Sequence, residues 1–325
     1  GKTDYTNMSL DVGFTNNELF SWYAGDIGLA IGAQFMTDEI NDTPGIETLS
    51  CNVWNGVAGL CGYPTIGETE TMAVYAETAI PLLTGKKGFD YLELNASARW
   101  TQVSIDDTPD SDARDYDDTT YKVGLNWKIN DNFRFRANTG TSFRTPALFE
   151  LYRKNFHSYP GQRNNDPCHS WGDGLENGKI TERMAANCAA EGIPDDINSL
   201  LAMDVITGGG AAVLDAETAT SNTFGVVYTA NNIGFRMSLD YWQLEVQDQI
   251  GIFSHLGILR GCYDSDTYPT DALCSLIERE GANEGTESFR VLTVQSSYIN
   301  LDEQRTAGWD IEANWATSLG NAWNL

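Results

Sequence analysis

The stretch that decides the fold is FRFRANTGTSFRTPALFELYRKNFHSYP, residues 133–160. Up to Arg144 its side chains alternate, and alternation with a period of two predicts a β-strand with two different faces. One face would hold Phe133, Phe135 and Phe143, and the other Arg134, Arg136 and Arg144. Pro146 removes a ladder donor and ends the pairing, and about seventy residues without strand character follow it. A long strand that opens into so long a loop is unusual for a compact soluble domain.

Similar alternation recurs before and after this stretch. It predicts further strands at 10–14, 27–35, 72–80, 92–100, 121–129, 224–228, 235–241 and 309–315, with a partial strand after 321. The strand at 72–80 is predicted to end at Pro81. Together with residues 133–144, the pattern predicts about ten strands.

The connections between these strands differ in length. Short turns are predicted at 83–90, 130–132, 230–233 and 317–321, and long loops at 38–67, 106–118, 146–216 and 249–290. Residues 15–26 are predicted as a longer connection on the short-turn side. In an up-and-down meander successive connections lie at opposite ends, so all the long loops would fall on one side. This asymmetry predicts an all-β fold, an antiparallel up-and-down transmembrane β-barrel with long extracellular loops, in which the polar face lines a wet lumen and the apolar face meets lipid.

A soluble sandwich or small barrel, with the apolar face inside, is the alternative explanation of the alternation. Full charges in mid-strand and strands of about ten residues favour the membrane barrel, because a tilted strand needs about that length to cross lipid. The charged positions are Glu77, Glu93, Arg99, Lys122, Arg134, Arg136, Asp240, Asp310 and Glu312. The solvent face of a soluble sheet holds such charges as well, so the residues alone leave this alternative open.

The composition limits the class of protein. Hydrophobic residues make up 41% of the 325 residues, which is low for a packed globule and fits a polar lumen. The formal net charge of −26 argues against nucleic acid as a partner, since its phosphates would be repelled. No run of about eighteen apolar residues is present, and Gly1 is not followed by the charged and apolar regions of a signal peptide. A membrane role would therefore be a β-barrel role.

All six cysteines lie in segments without strand alternation. They form three local couples: Cys51 with Cys61, Cys168 with Cys188, and Cys262 with Cys274. Fifteen connectivities are possible, and pairing within each couple is the simplest, because it closes loops of about 10 to 20 residues that each contribute about 2.5 to 3 kcal/mol. Such loops indicate an oxidising compartment. A zinc site is the weaker alternative, because the chain has no CxxC pair and only His157, His169 and His255.

One ordered set of motifs resembles the TonB-dependent outer-membrane receptors. Its clearest member, FRTPALFELY at 143–152, is similar to that family's FRxPxLxELY segment through Phe143, Arg144, Pro146, Leu148, Glu150, Leu151 and Tyr152. Residues 214–221, 240–250 and 308–312 are similar, in the same order, to later segments of the family. Asp215 and Ala216 stand where Lys or Thr and Pro are usual. The resemblance covers nearly the whole chain.

The resemblance implies an outer-membrane protein of a Gram-negative bacterium, in contact with lipid and lipopolysaccharide. Receptors of this family are expected to have a coupling box, a plug domain in the pore, about 22 strands and a terminal aromatic residue. Residues 1–325 are therefore expected to form a middle part of the barrel domain, with the plug domain and both barrel ends missing. The TonB complex would act through that missing plug.

Aromatic residues in the predicted loops are candidates for binding a small molecule or an oligosaccharide, because their rings stack on sugar-like solutes. The candidates are Trp54, Tyr63, Tyr152, Tyr159, Trp171, Tyr263 and Tyr268, together with Phe156. Asp173, Glu176 or Asn164 would supply hydrogen bonds to the solute. For each aromatic residue, packing inside a disulfide-stapled loop is the competing explanation.

The acidic segment 106–118 supplies oxygen ligands of the kind that Ca²⁺ prefers. The candidate ligands are Asp110, Asp112, Asp115 and Asp117, and a bound divalent cation would bridge the loop to lipopolysaccharide. The segment lacks the glycine and the terminal glutamate of an EF-hand, so a solvated charged loop is the simpler interpretation. No other cofactor or metal site is predicted.

The motifs do not indicate an enzyme, because the chain has no nucleophile elbow or HExxH and its three histidines form no evident triad. The leading hypothesis is a receptor barrel for energy-coupled uptake of a scarce solute. A carbohydrate is slightly favoured over a ferric siderophore or cobalamin, because the stapled loops are aromatic and acidic. The alternatives are a passive porin or a surface-exposed structural or adhesive barrel, and a secreted soluble β protein.

Overall fold

The computed structural model describes residues 1–54, 59–105, 115–211, 213–282, 289–301, 303–316, 318–319 and 323–324. Its strands and helices, in chain order, are β1 (Lys2–Trp22), β2 (Gly25–Thr43), α1 (Ile46–Leu49), β3 (Val53–Trp54), β4 (Gly59–Leu60), β5 (Thr65–Lys86), β6 (Phe89–Ile105), β7 (Tyr116–Lys128), β8 (Phe133–Arg144), α2 (Leu148–Tyr152), β9 (Phe156–Ser158), α3 (Gln162–Asn165), α4 (Trp171–Glu176), α5 (Glu182–Ala190), β10 (Asp204–Thr207), β11 (Glu217–Ala230), β12 (Phe235–Gln247), β13 (Ile250–Ile252), α6 (His255–Tyr263), β14 (Ile277–Arg279), β15 (Val291–Gln295), β16 (Tyr298–Asn300), β17 (Gln304–Trp315), β18 (Ser318–Leu319) and β19 (Trp323–Asn324). Short 3₁₀ helices lie at Asn231–Ile233 and Ala272–Leu276.

Nine long strands form one antiparallel sheet, which we call the wall sheet. Its order is β1-β2-β5-β6-β7-β8-β11-β12-β17, so each strand pairs with the next long strand in the chain. Strand β8 runs from Phe133 to Arg144, as the alternation predicts. The up-and-down meander is confirmed, with nine long strands in place of about ten. In the described part of the chain no helix is long and apolar enough to cross a membrane.

Two predicted boundaries in the wall sheet are wrong. Residues 15–22 belong to β1, which continues past a register shift between Asn16 and Phe20 and turns into β2 after Trp22. Pro81 does not end β5, because the strand continues to Lys86 beyond a second register shift between Pro81 and Leu83. Both errors arise because a bulge interrupts the alternation of side chains. At Pro81 the bulge also lets the strand continue although proline has no backbone N–H to donate.

The pairing register gives the wall sheet one apolar and one polar face. One row across six strands contains Leu94, Leu125, Ala137, Phe224, Tyr241 and Trp309. The neighbouring row, on the opposite face, contains Glu93, Asn126, Arg136, Gly225, Asp240 and Asp310. Trp309 is 65% exposed and Ile311 68% exposed, so the apolar face carries large side chains that a soluble sheet would cover. This is the distribution expected of a sheet with lipid on one side and water on the other.

The polar face is held together by ion pairs that cross strands. Arg136 on β8 donates to both carboxylate oxygens of Asp240 on β12, at 2.8 and 2.7 Å, and the pair passes over Gly225 of the intervening strand β11. A Cβ atom at Gly225 would overlap Oδ1 of Asp240. The glycine therefore makes room for a charged bridge in the wall.

The two longest connections, 145–216 and 248–303, fold together into one unit that we call the cap. Its main sheet has the order β14-β15-β10-β9, with β10 of the first connection parallel to β15 of the second. The prediction that 146–216 lacks strands is wrong, since β9 and β10 lie there with four short helices. The cap has two apolar cores, one around Met184, Cys188 and Tyr263 and one around Met203, Leu259 and Val294.

The two connections of the cap are joined by buried polar contacts. Arg279 donates two hydrogen bonds to Asp166, at 2.8 and 2.7 Å, and both side chains are only 4% exposed. Gln162 binds the backbone of Val291 in both directions, at 3.1 and 2.9 Å. Each buried charge or amide from one connection thus finds its partner on the other.

The cysteines pair within their couples. Cys168–Cys188 and Cys262–Cys274 lie in the first core of the cap, and Cys51–Cys61 closes part of the connection between β2 and β5. The bridges span 10, 20 and 12 residues, which is the sequential connectivity. Each bridge restricts a loop that has few strand contacts of its own.

Candidate functional site

The cap is joined to the wall sheet by the FRTPALFELY segment. Arg144, the last residue of β8, donates two hydrogen bonds of 2.6 Å to Glu217 and one of 2.9 Å to Glu150 of α2. Glu150 also accepts from the backbone of Ala147 at 2.6 Å, and Glu217 from the backbone of Ile250 at 2.7 Å. One planar guanidinium therefore connects the end of β8, the helix α2, and the starts of β11 and β13.

Helix α2 packs on the polar face of the wall sheet at its long-loop end. Leu148, Leu151 and Tyr152 form a core with residues of that face, namely Ile40, Val103, Ile105 and Tyr116. Tyr152 is 5% exposed, and its hydroxyl donates to the carbonyl of Glu68 at 2.8 Å. Its ring lies against Gly67, where a Cβ atom would overlap it. Tyr152 was predicted as a ligand-stacking residue, and the structure instead places it in this core.

An aromatic cluster, which consists of Tyr63, His157 and Tyr159, is the part of the predicted site that the structure brings together. The His157 ring lies 6.4 Å from the Tyr63 ring and 6.5 Å from the Tyr159 ring, measured between ring centroids. Tyr63 comes from the connection before β5, whereas His157 lies on β9 of the cap. Tyr63 is 45% exposed, so one side of the cluster is open to solvent.

Asp204 orients the imidazole of this cluster. Its carboxylate oxygens lie 2.9 and 3.0 Å from Nδ1 of His157, because β9 and β10 are neighbouring strands. A hydrogen bond from Nδ1–H to the carboxylate fixes the ring plane between the two tyrosines. Burial and the charge of Asp204 raise the pKa of Tyr159 above its ordinary value.

The other aromatic candidates pack within the cap. Trp171 donates from Nε1 to the carbonyl of Ile193 at 3.0 Å, and Tyr263 and Tyr268 both donate to the carboxylate of Glu191. Burial raises the pKa of Tyr268 to about 12, and the hydrogen bond to Glu191 adds to the shift. The contacts of Trp171, Tyr263 and Tyr268 therefore fit packing within the cap, which is the alternative to ligand binding. The side chain of Trp54 lies outside the described residues.

The sequence did not predict His157 or its partner Asp204 as binding residues. His157 was considered only as a zinc ligand, and Asp204 was not considered at all. Their proximity depends on the pairing of β9 with β10, where His157 pairs with Ile206, and the short three- and four-residue strands give little alternation to detect. Phe156, the neighbouring aromatic candidate, lies with its ring 4.1 Å below the guanidinium of Arg153.

The acidic segment is only partly described. Asp110 and Asp112 lie outside the described residues, and Asp115 and Asp117 are exposed at the start of β7. Within the described ranges, no group of three or more His, Cys, Asp or Glu side chains is placed to hold a metal ion. The Ca²⁺ site therefore stays a prediction.

The fold and the junction segment together define a β-barrel receptor of the outer membrane. The chain belongs to the TonB-dependent receptors: the family model described as TonB dependent receptor-like, beta-barrel, matches residues 1–325. Members of this family are outer-membrane proteins of Gram-negative bacteria, so the apolar face of the wall sheet faces lipid. A comparison with curated proteins found no match.

Solved structures with the same fold include the ferric enterobactin receptor PfeA of Pseudomonas aeruginosa, in complex with enterobactin. It is 14% identical with a TM-score of 0.57, and the match covers 99% of this chain and 35% of that one. The hemophore receptor HasR of Serratia marcescens, in complex with HasA and heme, is 12% identical with a TM-score of 0.53, and the match covers 96% of this chain and 40% of that one. The chain thus spans 35% to 40% of the length of these receptors.

Proposed function

We propose that this chain forms part of the wall and the outer cap of a receptor for energy-coupled uptake of a scarce solute. The observation that carries the proposal is the cap itself, which packs on the polar face at the long-loop end and supplies His157 and Tyr159 to the aromatic cluster, next to Tyr63 from the connection before β5. This position supports a role for the cluster in meeting a solute that arrives from outside. Family membership supports energy coupling through the TonB complex.

A carbohydrate is the solute that we favour slightly over a ferric siderophore or cobalamin. Tyrosine rings beside an oriented imidazole offer apolar faces with polar edges, which suits a sugar ring with hydroxyls around it. The net charge of −26 is unfavourable for a highly anionic chelate at long range. PfeA and HasR were solved with enterobactin and with heme, and these two solutes are the competitors to include in a binding test.

The solute preference is tested by titrating the detergent-purified receptor with a panel of neutral oligosaccharides, ferric enterobactin, heme and cobalamin. We expect saturable binding of an oligosaccharide, weakened about tenfold by Tyr63→Ala or Tyr159→Ala, because each removes one stacking face. Phe156→Ala is the matched control. Phe156 lies in the same connection as Tyr159, but the guanidinium of Arg153 covers its half-exposed ring. Tight binding of a ferric chelate with no oligosaccharide binding would contradict the preference.

Energy coupling is tested separately by measuring uptake of the bound solute in cells with and without a functional TonB complex. We expect uptake to stop without it, whereas a passive porin would continue to admit the solute and an adhesive barrel would admit none in either strain. Residues 1–325 are proposed to be barrel domain only, with the plug domain encoded outside them. Sequencing the gene on both sides of this segment tests that assignment.

Contact with lipopolysaccharide through the acidic segment is part of the same proposal. Asp115 and Asp117 lie at the start of β7, at the long-loop end of the wall sheet. A divalent cation held there would bridge carboxylates to lipid phosphates. Calcium titration of the receptor in lipopolysaccharide vesicles, compared with Asp115→Asn, measures whether such a bridge forms.

A further inference from the structure

The cap contains a polar cavity whose lining does not include the aromatic cluster. Its volume is about 380 Å³, and it lies between α3, the start of α4 and the outer side of α6. We call it the cationic pocket, after the residues Arg163, Lys179 and Arg260 in its lining. His169, Asn164 and Asp173 line it as well. A volume in this range holds a small hydrophilic molecule.

The three cations of this pocket have no acidic partner in the described part of the chain. Among the residues that the structure describes, no carboxylate lies within 4.0 Å of the side-chain nitrogens of Arg163, Lys179 or Arg260. Arg260 reaches only the carbonyl of Lys179, at 3.5 Å. In a chain with 46 acidic and 20 basic residues, three cations that face one cavity without acidic partners are a local reversal of charge.

The acidic residues of the pocket do not cancel this charge. Asp166 also lines the cavity, but both of its carboxylate oxygens accept hydrogen bonds from the buried guanidinium of Arg279. Asp173 is the second carboxylate in the lining. The pocket therefore keeps a net positive charge, although the charge of the whole chain is negative.

His169 adds a polar atom that needs a partner. Its Nε2 is buried and has no hydrogen-bond partner within the described part of the chain. A buried nitrogen without a partner is destabilising by about 1 to 3 kcal/mol, and such atoms are rare in folded proteins. The adjacent Cys168–Cys188 bridge and the hydrogen bond from Ser170 to Ile197 fix the backbone on both sides of this histidine.

We propose that the cationic pocket binds an oxyanion group, a carboxylate, sulfate or phosphate, carried by a small hydrophilic solute. The guanidinium groups of Arg163 and Arg260 offer planar donor pairs, and Lys179 adds a point charge. Asn164 and Asp173 contact the uncharged remainder of the solute. This site is independent of the aromatic cluster, so it holds or fails whatever the receptor transports.

Oxyanions reach the outer surface from two sources, as free solutes and as phosphates of lipopolysaccharide. A free solute fits the pocket better, because the cavity is bounded by helices of the cap that pack on its disulfide-linked core. The phosphates of a lipid are held at the membrane surface by their acyl chains. We therefore assign the pocket to a free solute and include lipopolysaccharide as an arm of the test.

The test is a calorimetric titration of the detergent-purified receptor with sulfate, with glucuronate and with uncharged glucose, at fixed low ionic strength. We expect saturable binding of sulfate and glucuronate, none of glucose, and weaker binding as salt is added. Lys179→Gln and Arg260→Gln should each weaken binding about tenfold, since each removes one charge-assisted hydrogen bond. Lys179→Arg should retain it.

Arg183→Gln is the matched control, because it removes the same charge from the neighbouring helix α5, where Arg183 is paired with Asp266 at 3.1 Å. Affinity should be unchanged in this variant. Absence of saturable sulfate and glucuronate binding in the wild type, or an equal loss in Arg183→Gln, would overturn the proposal. Competition between sulfate and lipopolysaccharide vesicles would overturn the assignment to a free solute. Amide exchange across the cap confirms that each variant is folded.

Discussion

The wall sheet and the cap are stabilised in opposite ways. The wall sheet has few buried side chains in its mid-strand region and leaves Trp309, Ile311 and Trp315 exposed, so it depends on its backbone ladder and on lipid. The cap buries whole apolar clusters, two disulfides and the Arg279–Asp166 pair within loops that have little regular structure. A sheet that lipid completes needs no core of its own, whereas loops in water need one.

The difference also separates their functions. The wall sheet repeats one simple pairing and presents a polar face, while the cap brings together residues far apart in sequence and contains the cationic pocket. The proposed binding of a solute therefore lies in the part that is folded by long-range contacts. The variants below change one region and leave the other as an internal control.

The largest effect is expected from Arg279→Met. It leaves the carboxylate of Asp166 buried without its partner, which should destabilise the cap by about 3 to 5 kcal/mol. Amide hydrogen exchange should rise across the cap while the wall sheet stays protected. Arg290→Met, which breaks the half-exposed pair with Glu280, is the control and should cost under about 1 kcal/mol. Equal exchange in both variants would show that the buried pair does not hold the cap together.

A charge on the apolar face should destabilise the wall sheet and leave the cap intact. Phe224→Arg places a cation in the lipid-facing row of β11 and should destabilise the wall sheet by about 2 to 4 kcal/mol in lipid vesicles. Ser221→Arg carries the same charge on the polar face of the same strand and should be tolerated. Urea unfolding of the vesicle-embedded receptor measures both, and similar losses would contradict the assignment of the two faces.

The junction between the two regions should respond to Arg144→Gln. The change removes the charge that Glu150 and Glu217 share, and a loss of about 1 to 2 kcal/mol is expected because the guanidinium is partly exposed. Amide exchange should increase more in residues 147–152 than in the rest of the cap or in the wall sheet. Arg305→Gln, which removes a surface partner of Glu245 within the wall sheet, should leave α2 protected. Unchanged amide exchange of α2 in Arg144→Gln would show that Arg144 does not hold the cap to the wall sheet.

The smallest effect concerns pH and is confined to the cap. Burial lowers the pKa of His255 at the start of α6, so the folded cap favours the neutral imidazole. That stability is complete above the ordinary histidine pKa of about 6.5 and is lost as the pH falls through the lower folded pKa. The protection factors of the α6 amides, which are corrected for the pH dependence of intrinsic exchange, should therefore fall as the pH is lowered from 7 to 5. His255→Gln should remove the slope, and persistence of the slope would assign it to another group.

Prediction from the sequence succeeded for elements whose signal is local. Alternation located β8 to the residue, the contrast of short turns and long loops predicted the meander, and local cysteine couples gave the bridges. It failed where a bulge interrupts the alternation, at residues 15–22 and at Pro81. It also could not assign Tyr152 to a core, because an aromatic residue in a loop has the same local signature whether it stacks on a ligand or fills a core.

The sequence by itself therefore determined the wall: a period of two assigns each side chain to lipid or lumen once the strand direction is known. Only the tertiary structure decided the cap. Asp204 meets His157, and Arg279 meets Asp166, through contacts between segments that are 47 and 113 residues apart. Such contacts depend on the packing of several short elements at once, and no repeating pattern in the chain encodes them. The proposed binding sites belong to that second category.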